Sequence, residues 1–333
     1  MVPVRHESGH FNPETAREGN VSYGTLKVFS GSSHPTFVNS ICAHLGISPG
    51  EREIIKFSNE NLMVKILENV RGDDVFVVQT MAPPVNEMIV EALIMIDALK
   101  HASAARITAV LPYFPYARSD KKDQPRISIT ARLMADLFET AGADRFLTMN
   151  LHAPQIQGFF RIPADQLVGG PIVADYLREK DLSNAVLVAG DAGEIKDVTT
   201  YANRLDLPIA IIDKRRYGND EKPKARNIIG DVEGMDCFLT DDEIASGRTM
   251  VEALAFLKKK GARSVSCAAI HPVLTGNAVE NLTNSDMREI VLGDTIPVEH
   301  KKTKKTHVIT MAPIFAEAIK RIHLGQSVSE VFR

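Results

Sequence analysis

The sequence predicts an α/β protein with mainly parallel sheets, and three observations lead there. Short β-type runs alternate with helical ones from residue 26 to the C-terminus. The longest helical pattern carries Met88, Ile89, Ala92, Leu93, Ile96 and Leu99 as one wide apolar stripe, the mark of a helix packed on a sheet. Polar, ligand-type residues collect just after the apolar runs, and in parallel sheets the loops that follow strands gather on one edge. The 333 residues exceed the ~100–200 of an ordinary domain, so two cores are expected.

In chain order, β-type stretches are expected at 26–29, 53–57, 62–66 and 75–79, with a helix at 37–45 between the first two. The long helix covers 85–104, and a strand at 107–111 follows it. Then comes a loop of aromatic and charged residues, 113–126, too long and too polar for a minimal connection. A helix at 129–141 leads to a strand at 146–149, which ends on Asn150-Leu-His152. Pro163 and the Gly169-Gly170-Pro171 run break the pattern, placing a domain division near 162–170. The second half repeats the rhythm: strand 185–189, loop 190–194, helix 195–205, strand 208–212, loop 213–226, strand 237–239, helix 250–260, strand 265–270 and a closing helix at 312–324. Ala104-Ala-Arg-Ile107 is echoed weakly by Gly261-Ala-Arg-Ser264.

Composition excludes several classes. Lysine and arginine total 39 against 42 acidic residues, a net charge of −3, so no overall field draws in nucleic acid or an anionic membrane. Cys42, Cys237 and Cys267 lie far apart without a CxxC pair, which argues against a disulfide scaffold or a cysteine metal site and for a reducing compartment. Residues 1–22 lack the apolar stretch of a signal peptide and read as a flexible tail. A soluble, cytoplasmic protein is expected. Walker A and GxGxxG sequences are absent from the chain.

The most informative stretch is Cys237 to Thr249. An apolar run delivers Asp241 and Asp242, and a small polar turn, Ala245 to Thr249, opens a helical pattern. Unpaired amides at such a helix start bind phosphate, and adjacent carboxylates accept hydrogen bonds from vicinal hydroxyls or reach Mg²⁺, so a sugar phosphate suits the pair. The plain alternative is an acidic turn with a helix cap. Arg118, Lys121 and Lys122 in the 113–126 loop could hold polyphosphate, or form an ordinary solvated face. His152 and Asp191, at two strand ends, could hold Mg²⁺ or its waters, although a lone histidine is more often simply hydrogen-bonded. Lys214-Arg215-Arg216 could close over a transferring phosphoryl group, or be an ordinary basic loop. The lysine-rich segment 300–305 reads as solvated surface.

Several segments together resemble the ribose-phosphate diphosphokinases, the phosphoribosyl pyrophosphate synthetases. They are Gly31-Ser-Ser-His-Pro35, Phe57-Ser-Asn59, Val70-Arg-Gly-Asp-Asp-Val75, Tyr116-Ala-Arg118, Leu151-His-Ala153, Gln155-Ile-Gln-Gly-Phe-Phe160, Ile212-Asp-Lys-Arg-Arg216 and Ala316-Glu-Ala-Ile319. The resemblance implies two tandem type I phosphoribosyltransferase-like domains. Residues 23–165 would form the ATP side and the subunit contacts, and residues 166–333 the ribose 5-phosphate side, in a dimer-based homo-oligomer, usually a hexamer.

It also implies the reaction, attack of the anomeric hydroxyl of ribose 5-phosphate on the β-phosphorus of Mg·ATP, with Mg²⁺ as the cofactor. By the same resemblance Phe57 and Asn59 contact adenine from an adjacent subunit, and Arg118, Asp120 and His152 lie along ATP. His152 and Asp191 serve Mg²⁺, and Lys214 and Arg216 are the catalytic cations. Asp241 and Asp242 meet the ribose hydroxyls, while Ser246, Gly247 and Thr249 belong to the 5-phosphate cradle.

The chain departs from the family pattern at several ligand loops. Asn61 stands for glutamate, Ser119 for glutamine, Asn150 for aspartate, Gly190 for proline, Glu194 for glycine, Ala245 for aspartate and Arg248 for glycine. Glu194 places a carboxylate near the expected diphosphate, where it repels unless a metal or Lys196 intervenes. An active but divergent synthetase and a catalytically impaired regulatory subunit therefore both stand at this level, with a phosphoribosyltransferase as a third reading.

Overall fold

The computed structural model describes residues 23–215 and 224–332, so the tail 1–22 and Arg216 lie outside the described residues and Lys214 is placed by its backbone alone. The first half contains β1 (Leu26–Ser30), α1 (Pro35–Leu45), β2 (Arg52–Lys56), β3 (Leu62–Ile66), β4 (Asp74–Val78), α2 (Val85–His101), β5 (Arg106–Leu111), α3 (Thr130–Ala141), β6 (Arg145–Met149) and β7 (Ala164–Leu167). Strands β1, β4, β5, β6 and β7 form a parallel sheet in the order β1-β4-β5-β6-β7, while β2 and β3 make a separate antiparallel hairpin. All five residues of β4 are buried, as expected of a strand covered by helices on both faces.

The second half contains α4 (Gly170–Arg178), β8 (Ala185–Ala189), α5 (Ile195–Leu205), β9 (Ile209–Arg215), β10 (Lys224–Ile229), β11 (Asp236–Glu243), α6 (Arg248–Lys259), β12 (Ser264–His271), α7 (Ala278–Thr283), β13 (Ile290–Gly293), β14 (Thr306–Ile309) and α8 (Ala312–His323). Its sheet runs β10-β9-β8-β11-β12-β13-β14, parallel except for the antiparallel β10 at one edge.

Four differences from the sequence reading have physical causes. The stretch 213–226, read as one loop, is in part a hairpin: β9 runs on to Arg215 and β10 pairs back on it from Lys224. The charged Lys-Ala-Arg-Asn start of β10 hid an edge strand, because an edge needs no apolar face on both sides. The strand read as 237–239 extends to Glu243, so Asp241 and Asp242 lie inside it. Strand β7 crosses the position where the sequence places the domain division, and β13 and β14 are four residues each, too short to show a period.

The weak echo between the halves corresponds to a repeated device. Arg106 at the start of β5 donates through Nε to Asp74 Oδ1 at 2.8 Å, and Arg263 beside the start of β12 donates through Nε to Asp236 Oδ1 at 2.9 Å. In each half an arginine ties the base of one parallel strand to an aspartate at the base of its neighbour. Hydrogen bonds from Arg263, with a further one from Ser264, hold the Asp236 carboxyl down at about 2 against the opposing effect of burial. A depressed carboxylate stabilises the fold above its unfolded value, and this stability is lost as pH falls through about 4 toward 2. Asp236→Asn should therefore lower stability by about 1 kcal/mol at neutral pH, since Arg263 and its second arginine partner, Arg288, are both exposed. The gap from the wild type should close near pH 2, as followed by thermal melts across pH.

Helix α8 returns to the first half. Phe315 meets Phe37 of α1 edge-on at 5.6 Å between ring centroids, and His323 Nδ1 lies 2.8 Å from Asp74 Oδ2. One apolar core accordingly contains residues of both sheets and of α1, α4, α5 and α8.

Candidate active site

The C-terminal ends of the two sheets face each other, and His271 joins them. This last residue of β12 is 2% exposed, and its Nε2 lies 3.0 Å from the Met149 carbonyl at the end of β6 and 3.1 Å from that of Asn150. Carbonyl oxygens only accept, so Nε2 carries the hydrogen. Burial pushes the imidazole pKa down and keeps the ring neutral. Thr80 adds a second buried link, its hydroxyl donating to the Thr295 carbonyl at 2.6 Å.

Loops from both halves meet around this junction. Phe114, stacked edge-on against Phe146 and Phe160, anchors the loop after β5. That anchoring lets Tyr113 donate to Glu243 Oε2 at 3.1 Å and lets Arg118 reach Glu243 Oε1 at 2.7 Å. The loop after β6 turns at Asn150, whose φ of 40° is the left-handed conformation that asparagine tolerates, and whose Oδ1 accepts from the Gly169 amide at 2.8 Å. Two residues on, His152 Nδ1 lies 3.3 Å from Asp242 Oδ2. A small pocket is lined by Tyr113, Asn150, His152, Asp242, Glu243 and His271, among others.

Strand β11 builds the acidic wall. Its pairing with β8 stops at Thr240, while its pairing with β12 continues to Glu243, so Asp241, Asp242 and Glu243 project past β8. Burial is the largest single effect on each of the three carboxyls and pushes all of them upward, and the rest of their surroundings separates them. Asp241 is pushed well above the usual carboxylate range by burial, reinforced by its hydrogen bond to Asp242 and by the charge of Glu194. For Asp242 burial acts upward, but hydrogen bonds from His152 and Asp241 outweigh it and hold the group below that range. Glu243 is raised by burial, with the Arg118 guanidinium opposing. His152 is raised by its hydrogen bond to Asp242. The surroundings thus push the pair apart, Asp241 upward and Asp242 downward, with Asp242 lying against His152.

After β11 the chain turns through Ser246 and Gly247 into α6. Gly247 has φ of 71°, which a side chain would strain, and the first amides of the helix follow it. Ser246, Arg248 and Thr249 are exposed there, and the Ser246 carbonyl is fixed by Asn281 Nδ2 at 3.1 Å. After β8, exposed Asp191 accepts from the Gly193 amide at 2.8 Å, and Glu194 folds back to Gly190.

The structure therefore brings Arg118, His152, Asp241 and Asp242 together. Asp120 is half-buried in the same loop as Arg118. Phe57 and Asn59 stand on the β2–β3 hairpin; Phe57 is 46% exposed, and Asn59 Oδ1 accepts from the Asn61 amide. Lys214 is near the end of β9. Sequence reasoning missed Glu243 and His271. A third consecutive acid after the aspartate pair was the available signal for Glu243, and a histidine closing an apolar strand was the signal for His271.

Comparison with known proteins gives concordant results. Residues 26–142 match the family described as the N-terminal domain of ribose phosphate pyrophosphokinase, and residues 215–333 match the phosphoribosyl synthetase-associated domain. The chain is 48% identical over 315 residues to the ribose-phosphate pyrophosphokinase of Caldanaerobacter subterraneus, covering 92% of this chain and 98% of that protein. It is likewise 48% identical over 314 residues to that of Clostridium acetobutylicum, covering 92% and 97%. The crystal structure of phosphoribosylpyrophosphate synthetase from Mycobacterium smegmatis superposes with a TM-score of 0.85 at 38% identity, covering 90% of this chain and 99% of that one.

Proposed function

The chain belongs to the ribose-phosphate pyrophosphokinase family, and from that membership we propose that its cleft transfers the β,γ-diphosphoryl group of ATP to the 1-hydroxyl of ribose 5-phosphate. The sugar oxygen bonds to the β-phosphorus, the bond from that phosphorus to the α,β-bridging oxygen breaks, and AMP leaves with the bridging oxygen while the hydroxyl proton is lost. One observation carries the reading for these residues: Arg118 and Tyr113, from the loop assigned to ATP, are bonded to Glu243, next to the acids assigned to the sugar.

In this reading residues 23–165 supply the ATP side and residues 166–333 the ribose 5-phosphate side. Asp242, ionised, and Asp241 accept hydrogen bonds from the ribose hydroxyls, and the amides and hydroxyls of Ser246, Gly247 and Thr249 hold the 5-phosphate at the start of α6. Arg118 and Asp120 position ATP. Lys214 and Arg216 offset charge developing on the transferred group. The hairpin bearing Phe57 and Asn59 supplies an adenine contact to a neighbouring subunit of a dimer-based homo-oligomer, which the exposure of Phe57 favours.

The donor set fits Mg²⁺. Asp191 offers a hard oxygen ligand, and Asp242, bonded to His152, adds an acidic group whose charge attracts a dication. Among the described residues no three histidine, cysteine, aspartate or glutamate side chains form a ready cluster. Mg²⁺ is usually bound through one or two protein side chains together with substrate phosphate and water, and His152 and Asp191 would hold it here. When bound, it neutralises diphosphoryl oxygens. Among the described residues no helix is long and apolar enough to cross a membrane.

The purified protein is expected to form AMP from ATP only when ribose 5-phosphate and Mg²⁺ are both present. If the homo-oligomer releases no AMP at any substrate concentration, the chain is instead a regulatory subunit.

A further inference from the structure

Two departures from the family pattern that lie four residues apart, Gly190 for proline and Glu194 for glycine, meet in a single contact. The Gly190 amide donates to Glu194 Oε2 at 2.7 Å, and a Cβ on residue 190 would stand 3.0 Å from that same oxygen. Proline at 190 would have no N–H to give and would set its ring into the space the carboxylate fills. Glycine at 194 would bring no carboxylate. The two substitutions are therefore physically interdependent: the bond requires both.

The loop that contains the contact leaves the end of β8 beside the acidic wall, where Glu194 adds negative charge next to Asp241. A backbone amide is a single donor. That donor is already taken by Glu194, whose carboxylate repels another anion arriving beside it.

We infer that Glu194 is an internal anion of the diphosphate site: it holds the Gly190 amide and its charge opposes a diphosphate group arriving beside it. The inference rests on the proposed role of Asp191, in the same loop, in holding Mg²⁺ together with substrate phosphate. Residue 194 then sets how tightly the site holds any diphosphate-bearing ligand. Its carboxylate weakens that hold and speeds release of the diphosphorylated product.

Calorimetric titration of the full-length protein with inorganic diphosphate, with and without Mg²⁺, tests this directly and needs no turnover. Glu194→Gln keeps the side-chain shape and removes the charge, and Glu194→Gly removes the side chain. Both should bind diphosphate roughly tenfold more tightly than the wild type, with the larger gain in the absence of Mg²⁺. Gly190→Pro should lower the melting temperature in the wild-type background and have little effect on it in the Glu194→Gly background. Unchanged or weaker diphosphate binding in both folded position-194 variants would overturn the inference, as would an equal penalty for Gly190→Pro in both backgrounds. AMP formation by the same proteins, assayed in parallel, judges the reaction separately.

Discussion

Asp242→Asn should lower kcat/KM for ribose 5-phosphate by about 10²–10³-fold without unfolding the protein, the scale seen when one charge-bearing contact to a reacting ligand is removed. The expectation follows from the division of labour in the acidic wall. Asp241 is driven toward its neutral form and Asp242 is held ionised by its hydrogen bonds to His152 and Asp241. Asp242 is thus the carboxylate able to make a charge-assisted hydrogen bond to a sugar hydroxyl, about twice as strong as a neutral one. The amide replacement keeps the shape, loses the charge and leaves His152 without its anionic partner. Asp241→Asn, which replaces the acid whose charge burial already disfavours, should cost less. Initial rates of AMP formation against ribose 5-phosphate concentration provide the comparison. A change below about threefold for Asp242→Asn, or a larger loss for Asp241→Asn, would refute this assignment of charge.

Asp74→Ala should destabilise the fold by about 3–5 kcal/mol, the cost of breaking a buried ion pair by removing one partner. Asp74 has a fully buried side chain and receives two hydrogen bonds from Arg106, at 2.8 and 2.6 Å, plus the His323 contact. Arg106 also donates to the Ile322 carbonyl at 3.0 Å, so one carboxylate at the base of β4 organises the start of β5 and the end of α8. Without it the guanidinium, with a side chain 12% exposed, keeps its desolvation cost and loses its counter-charge. His323→Ala removes a more exposed partner and leaves the bidentate pair intact, so about 1 kcal/mol is expected. Urea unfolding of the two variants measures both. Equal midpoints for Asp74→Ala and the wild type would show that the pair contributes nothing to folding.

The fold and much of the site were legible because they are local properties. Strand β8 and helix α5 fall on the residues the pattern indicates, since five consecutive apolar residues and a 3.6-residue stripe state their own periods. Asp241 and Asp242 were visible as carboxylates at a strand end. The final length of that strand was not, because polar residues at the mouth of a sheet carry no apolar signal even while their backbone stays paired. Glu243 shows the limit more sharply. Its role depends on Tyr113 and Arg118, which approach it only after two sheets have packed, from 130 positions away in the case of Tyr113. The link between Gly190 and Glu194 was likewise hidden: four residues of spacing show proximity, and only the turn of the backbone shows that one donates to the other.

The sequence alone therefore determined the alternation of strands and helices, the ligand-bearing loops at strand ends and, through its motifs, the family. Those features depend on neighbours a few residues apart. The tertiary structure decided that the two sheets meet at their C-terminal ends through His271, that α8 packs back on α1, and in which direction each member of the aspartate pair is pushed. Each of these depends on burial and on contacts between residues far apart in the chain, such as His323 with Asp74 at 249 positions, and no local pattern encodes them.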